Sequence, residues 1–200
     1  MKLKSLSKNL FHQENAFPDT VALRILEKFK KNKKWQLINQ IKKKHYSHVF
    51  KNSSDFLPDA NEKYLAHFYR SDSLSLDQYI NNSIKRYIIS KIEKKFKIAV
   101  KNVDIRCHKF LADDFARTHF DNYAGDYAVT INLNENWKWD WGGLLCIPYG
   151  KKFDKTFALA PFWNTMNILT STNGKESPHF VTKINSFAKS PRYSITLFIK

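Results

Sequence analysis

The sequence predicts an α+β fold, with helices first and an antiparallel sandwich or barrel second. Three observations carry this reading. Apolar residues between Asp77 and Phe96 recur at three- and four-residue steps, the period of a helix. After Lys101 the texture changes to short apolar-alternating segments bounded by turn residues, the period of a strand. No helical pattern separates those segments, which implies antiparallel rather than βαβ organisation.

Taken in order, Val21, Leu23, Ile25, Leu26, Phe29, Trp35, Leu37 and Ile38 put a helix over Val21–Asn39, with Asp19 or Thr20 as its cap. The segment 45–72 has no firm period and reads as loop, with a short helix around Glu62–Tyr69. In Asp77–Phe96, Ile80, Ile84, Tyr87, Ile88, Ile92 and Phe96 share one face, and Ser73 or Ser75 is the candidate cap. Strands follow at Val103–Cys107, Tyr127–Asn134, Gly143–Pro148, Thr165–Thr170, Phe180–Ile184 and Tyr193–Ile199. There is no internal repeat, low-complexity tract or Gly/Ser linker. The expected organisation is one domain over residues 1–200, with 1–100 mainly helical support and 101–200 the β-rich core.

Composition narrows the class. With 42% hydrophobic and 15% aromatic residues among 200, the chain can build a core, so wholesale disorder is excluded. Five glycines and six prolines exclude collagen-like and Gly-rich chains. Cys107 and Cys146 are too few for a disulfide scaffold and read as free, packed thiols in a reducing compartment. No apolar run approaches the roughly 20 residues needed to span a bilayer, and no apolar stretch follows the charged Met1-Lys2-Leu3-Lys4 start. The expectation is a cytoplasmic protein without a membrane partner.

The net charge of +16 is uneven. Residues 1–101 hold 22 basic and 9 acidic side chains, net +13; residues 102–200 hold 12 and 9, net +3. The runs Lys30-Lys31-Asn32-Lys33-Lys34 and Lys42-Lys43-Lys44 could steer a polyanion such as nucleic acid. However, only six of the 34 basic residues are Arg, the side chain that forks onto phosphate. A solvated surface is therefore the favoured reading of the charge.

The chemistry sits in the other half. His119-Phe120-Asp121 places imidazole and carboxylate two residues apart, on one face of a strand, with Phe120 turned to the opposite layer. His179 stands where a strand starts, and Arg192 opens the last strand. Two His and one carboxylate are the facial triad of non-heme Fe(II) oxygenases, and a buried Arg grips a carboxylate with two parallel hydrogen bonds. Arg117, two residues before His119, is expected on the same face, most simply as a surface ion pair.

The segment from about Ile105 to Ile199 resembles the Fe(II)/2-oxoglutarate dioxygenases of the prolyl-hydroxylase type. Four blocks carry the resemblance. Phe110 to Asp121 is similar to the run leading into His-x-Asp. Asn132-Leu133-Asn134-Glu135-Asn136-Trp137 with Trp141-Gly142-Gly143-Leu144-Leu145 is similar to the family's Leu-Asn-x-x-Trp and Gly-Gly-x-Leu block. Ser177-Pro178-His179-Phe180-Val181 resembles the distal-histidine segment, and Arg192 to Phe198 the closing strand. The resemblance implies a double-stranded β-helix (jelly-roll) core with N-terminal helices packed on one sheet. It implies Fe(II) held by His119, Asp121 and His179, with 2-oxoglutarate and O2 as cosubstrates. Arg192 would bind the distal carboxylate of 2-oxoglutarate, with Ser194 adding a hydroxyl.

The departures are specific. Asp113 stands where the first block usually has Gly, and Phe110 where it often has a cosubstrate-binding Tyr. Asn132 occupies a position from which relatives direct a Tyr at 2-oxoglutarate, so its amide is a candidate replacement. The 13-residue step from His179 to Arg192 implies a wide turn around Asn185–Ser190. Asp121 favours hydroxylation, because related halogenases carry a small residue there.

The leading expectation is thus hydroxylation of a prolyl or other residue in a protein or peptide, with release of succinate and CO2. A free amino acid or small metabolite is the alternative substrate, since substrate choice lives in loops outside the motifs. Nucleic-acid dealkylation ranks lower, because that family has a second arginine six residues after the first, and position 198 is Phe. A catalytically silent basic jelly-roll binding module would have no need of four polar groups facing one pocket. Trp137, Trp139, Trp141 and Trp163 read first as packing, and the 137–141 loop second as a substrate contact. Oligomeric state is open.

Overall fold

In the computed structural model, residues 3–41, 64–119, 121, 125–150, 153–171 and 178–200 are described. The Lys42-Lys43-Lys44 run, the ring of Phe120 and most of the segment 45–72 lie outside them.

Two strands, β1 (Lys4–Ser5) and β2 (Leu10–Gln13), precede helix α1 (Asp19–Lys31). Ala22, Ile25, Leu26 and Phe29 are buried at three- and four-residue steps, which is the amphipathic pattern read from the sequence. Pro18, not Asp19 or Thr20, takes the cap position, with no side-chain cap bond. The helix ends at Lys31, eight residues before the expected Asn39. The Asn32 amide accepts from the Lys34 N–H at 3.2 Å, a local side-chain bond that competes with helix continuation. Trp35 then stacks on Tyr193 at 6.2 Å, and Gln36–Ile41 continues as strand β3.

Strand β4 (Tyr64–Ser71) replaces the short helix expected around Glu62–Tyr69. Its aromatic-rich stretch suits a pleated, half-buried surface, and pairing with β3 on one side settles it as strand. Ser71 caps the short α2 (Asp72–Ser75) by accepting from the Leu74 N–H at 3.3 Å. Asp77, rather than Ser73 or Ser75, caps the next helix by accepting from the Ile80 N–H at 3.1 Å. That helix comprises α3 (Gln78–Ile84), a π-helical stretch Lys85–Ile89 and α4 (Ser90–Phe96). It buries Ile80, Ile84, Ile88 and Ile92, four of the six residues its period singled out, while Tyr87 and Phe96 pack against the same core partly buried.

The second half supplies β5 (Val103–Phe110), β6 (Phe115–His119), β7 (Tyr127–Asn132), β8 (Leu145–Tyr149), β9 (Lys155–Leu159), β10 (Thr165–Thr170), β11 (His179–Val181) and β12 (Arg192–Ile199). All described pairings are antiparallel, in the order β1-β2-β10-β7-β12-β5-β4-β6-β11-β8-β9, with β3 beside β4. Among the described residues, the first hundred thus contribute four strands as well as helices. The sheet curls so that β6, β8 and β11 face β5, β7 and β12 across one cavity, the arrangement of a jelly roll.

Strand β12 shows why such a sheet is near-continuously apolar. Ile195, Leu197 and Ile199 join Ile25, Phe29, Ile80, Ile84, Ile88, Val129 and Ile131 in the main buried cluster. The alternate residues Arg192, Ser194, Thr196 and Phe198 line the cavity on the opposite face. One strand therefore serves the core with one parity and the site with the other.

The Gly142-Gly143 pair has a packing reason. Gly142 has φ +72, and a Cβ there would lie 2.1 Å from the Lys183 carbonyl oxygen. At Gly143, φ +65, a Cβ would press on Arg192 Cδ at 3.0 Å. Gly142→Ala is expected to cost about 3 kcal/mol or more in denaturant unfolding, from backbone strain plus the clash. A loss under about 1 kcal/mol would contradict that close approach.

Candidate metal centre

His119 ends β6 and His179 begins β11, and the two are cross-strand partners, so their imidazoles meet with ring centroids 4.3 Å apart. Asp121 lies just beyond the end of β6. Its Oδ2 is 3.0 Å from His179 Nε2 and its Oδ1 is 3.7 Å from His119 Nε2. One ligating atom from each of the three lies within 4.8 Å of the others, a cluster that could hold a metal ion.

The donor set fits a divalent cation. His119 Nδ1 donates to the Arg117 carbonyl at 2.7 Å, which leaves the Nε2 lone pair for a ligand. Burial, then the charge of His179, holds the His119 pKa below the ordinary histidine value against Asp121. Burial pushes the Asp121 carboxyl up, but His179 and His119, with a weaker contribution from Arg106, bring it down to about 2. Neutral imidazole and ionised carboxylate are the forms that bind metal.

Between Ala116 and His119 the ladder slips. His179 pairs with His119 but Val181 pairs with Ala116, so three steps on β6 oppose two on β11. Such a bulge shifts side-chain parity by one. Ala116 and His119 accordingly both line the cavity, while Arg117 lines a separate groove with Phe115, Thr118, Phe180 and Lys183. The expectation that Arg117 shares the face of His119 is corrected by this bulge.

The cavity opens to solvent and holds about 120 Å³ of space that the centre of a water-sized group can reach. Its residues include His119, Asp121, His179, Arg192 and Ser194, so five of the six candidate site residues converge. Arg192 is buried beneath it, with its guanidinium 4.9 Å from the Phe110 ring centroid. Nη1 donates to Ser194 Oγ at 3.2 Å and Nη2 to Asn132 Oδ1 at 3.4 Å. Nε has no hydrogen-bond partner, and no carboxylate among the described residues pairs with the group. Burial pulls the Arg192 pKa down to about 10, so it stays charged at neutral pH. A buried guanidinium without a counter-charge is costly, and a carboxylate entering this cavity would relieve that cost.

Asn132 is the sixth candidate, and it does not line the cavity. Its Oδ1 accepts from Arg192 and its Nδ2 donates to Thr165 Oγ1 at 3.1 Å. One hydrogen bond at each end of the amide ties it to these neighbours, so the structure places Asn132 behind Arg192 and off the cavity wall. Asp113 retains φ +69, so the backbone keeps the left-handed turn that Gly usually supplies in that block, and Asp tolerates it. The wide turn after His179 is also present. The Asn185 N–H donates to Trp141 O at 3.0 Å and the Ala188 N–H to Asn185 O at 3.0 Å.

The tryptophans divide. Trp137 and Trp141 are buried against Phe110 and Ile184, whereas Trp139 is 56% exposed and meets Phe162 edge-on. Cys107 and Cys146 are both buried free thiols, and burial pushes Cys107 up to about 12. On β5, Arg106 and His108 face the cavity alongside Phe110, and Thr196 faces it from β12. Sequence reading passed over Arg106, His108 and Thr196. Their period-two spacing from Phe110 and Arg192 was the available signal.

No helix among the described residues is long and apolar enough to cross a membrane. No curated protein matches the chain. Among solved structures, a prolyl-4-hydroxylase from Pseudomonas putida shares 14% identity over 96% of this chain and 92% of its own, with a TM-score of 0.64. A 2OG-Fe(II) oxygenase family oxidoreductase from Burkholderia pseudomallei shares 15% over 96% and 85%, with a TM-score of 0.66. A Trichoplax adhaerens prolyl hydroxylase, solved with a hypoxia inducible factor oxygen degradation domain peptide, shares 14% over 96% and 84%, with a TM-score of 0.60. At such identity these likenesses establish the fold. Residues 105–200 match the family model described as the 2OG-Fe(II) oxygenase superfamily. With the facial cluster and the jelly-roll sheet in place, the chain resembles the 2OG-Fe(II) oxygenases of the prolyl-hydroxylase type.

Proposed function

We propose that the protein is an Fe(II)- and 2-oxoglutarate-dependent hydroxylase acting on an unactivated C–H bond of a prolyl or other residue in a protein or peptide. The observation that carries the reading is a buried Arg192, paired with no carboxylate among the described residues, in the same cavity as the His119, Asp121 and His179 cluster. One feature answers to a metal and the other to an organic anion. Bound Fe(II) with 2-oxoglutarate would supply O2 activation, converting 2-oxoglutarate to succinate and CO2 as one oxygen atom enters the substrate.

The protein's own share is binding and orientation. His119, Asp121 and His179 would hold the metal, three protein ligands being the set that leaves positions for cosubstrate and O2. Arg192 grips the distal carboxylate of 2-oxoglutarate, in a position held by Ser194, Asn132 and the Phe110 ring. Gly143 lets the Arg192 stem lie against the turn without obstruction. The exposed face of Trp139 is available to a polypeptide substrate. In this reading residues 1–200 act as one catalytic domain, in a reducing compartment such as the cytoplasm.

A second reading, hydroxylation of a free amino acid or small metabolite, is favoured by one observation. Arg106, paired with Asp104 through Nε at 2.9 Å and Nη2 at 2.6 Å, brings a second guanidinium to the cavity wall, where a small acid would meet it. The two readings separate in a cell lysate supplied with the protein, Fe(II) and 2-oxoglutarate. A one-oxygen mass gain on tryptic peptides supports the first, and on metabolites the second. Absence of any iron-dependent succinate formation would sink both.

A further inference from the structure

Phe110 lacks the hydroxyl with which a tyrosine at that position could hold a carboxylate, yet it lies directly against Arg192. Two residues earlier on β5, His108 faces the same cavity and has no part in the roles above. We propose that His108 is a cosubstrate-binding residue whose imidazole Nε2–H donates to the 2-oxoglutarate carboxylate that Arg192 grips. The inference rests on the function proposed above and deepens it.

The register places the two groups together. Across the β5–β12 ladder, Phe110 is opposite Arg192, His108 opposite Ser194, and Arg106 opposite Thr196. The cavity-facing residues of both strands follow this period of two, so His108 stands one inward step from Arg192. Ser194, its direct partner, already accepts from Arg192. The Phe68 ring meets the imidazole edge-on at 5.1 Å and limits its rotation.

The imidazole has one nitrogen to spare. Nδ1 lies 3.3 Å from Thr196 Oγ1; in the proposed arrangement that hydroxyl donates to Nδ1 and the ring proton sits on Nε2. No described residue pairs with that Nε2. Burial first, then the charges of Arg106, Arg192 and Arg70, drive the His108 pKa down to about 3, with Asp121 opposing. The group is therefore a neutral donor at physiological pH. It can serve an anion without adding another charge to a crowded cationic cavity.

The carboxylate needs such a donor. Its two oxygens offer about four acceptor sites. Arg192 spends one N–H of Nη1 on Ser194 and one of Nη2 on Asn132, so three of its five N–H groups, Nε included, remain for those four sites. In a low-dielectric cavity an acceptor left unsatisfied is costly. His108 Nε2–H offers the hydroxyl's service from the neighbouring rung.

The test measures 2-oxoglutarate binding to the Mn(II)-loaded protein by calorimetry, without turnover. His108→Leu is expected to weaken 2-oxoglutarate roughly 10- to 100-fold, the range for one hydrogen bond to a charged group. Mn(II) affinity is expected to stay unchanged, which certifies the fold and the metal centre. His108→Gln keeps an N–H donor and recovers most of the loss. Parental 2-oxoglutarate affinity in His108→Leu overturns the proposal. So does a His108→Gln protein that binds Mn(II) normally but 2-oxoglutarate as poorly as His108→Leu. If the Mn(II)-loaded parent itself fails to bind 2-oxoglutarate, the proposed function falls and takes this inference with it.

Discussion

His179→Ala is expected to weaken Mn(II) or Fe(II) binding at least about 100-fold, more than the 10- to 100-fold typical of losing an outer-shell partner. His179 is buried at the start of a three-residue strand whose partner residue is His119, so nothing else on β11 can reach the cluster. Removing it leaves two ligands and strips Asp121 of its 3.0 Å contact and of the charge that contributes most to lowering its pKa. Iron-dependent succinate formation would vanish with the metal. Equilibrium titration with Mn(II), alongside circular dichroism to check the fold, reads the result. Unchanged affinity would remove His179 from the metal centre and with it the triad.

Arg192→Ala is expected to raise the 2-oxoglutarate concentration needed for half-maximal succinate formation by roughly 30- to 1,000-fold, matching the 2–5 kcal/mol lost when one partner of a buried charge pair is truncated. Metal binding should be intact, because Arg192 makes no contact with the three ligands. Thermal unfolding offers an independent reading. The parent guanidinium sits desolvated and pairs with no carboxylate among the described residues, so saturating 2-oxoglutarate should raise the protein's Tm clearly. The variant should show little of that rise. An unaltered cosubstrate requirement would move the anchor elsewhere, and Arg106 is then the next candidate because it shares the cavity, whereas Arg117 does not.

Much of the site was legible because its residues lie in contiguous blocks whose local period sets their direction. Arg192 and Ser194 are two apart on one strand and both face the cavity, as the period requires. Asn132 was placed on the correct strand, but its partners Arg192 and Thr165 come from two other strands. No local pattern records that. Arg117 was misdirected by a bulge, which inserts one residue and reverses parity without a mark in composition. Arg106 and His108 escaped notice because their meaning comes from facing β12 across a ladder some ninety residues long in sequence separation.

The misread elements share a cause. The helix read over Val21–Asn39 joined two apolar patterns that happen to stay in phase, although the chain turns at Asn32 and enters the sheet as β3. Strand β4 shows the same dependence, because β3, β5 and β6 all pair with it and those pairings lie far away in the chain. Helix periods survive in sequence because helical hydrogen bonds are local; strand identity is weaker there because the partner supplies half the bonds.

By itself, then, the sequence determined the β-rich second half, the helix over residues 77–96, the strands that carry the blocks other than β6, and the three residues, His119, Asp121 and His179, that meet as a cluster able to hold a metal. Tertiary structure alone decided which face each residue of β6 presents, that Asn132 supports Arg192 instead of lining the cavity, and that His108 and Arg106 share it. The division follows the range of the forces. Side-chain period and turn chemistry act over a few residues and are written locally, whereas ladder register, bulges and burial of charge arise only when distant strands pair.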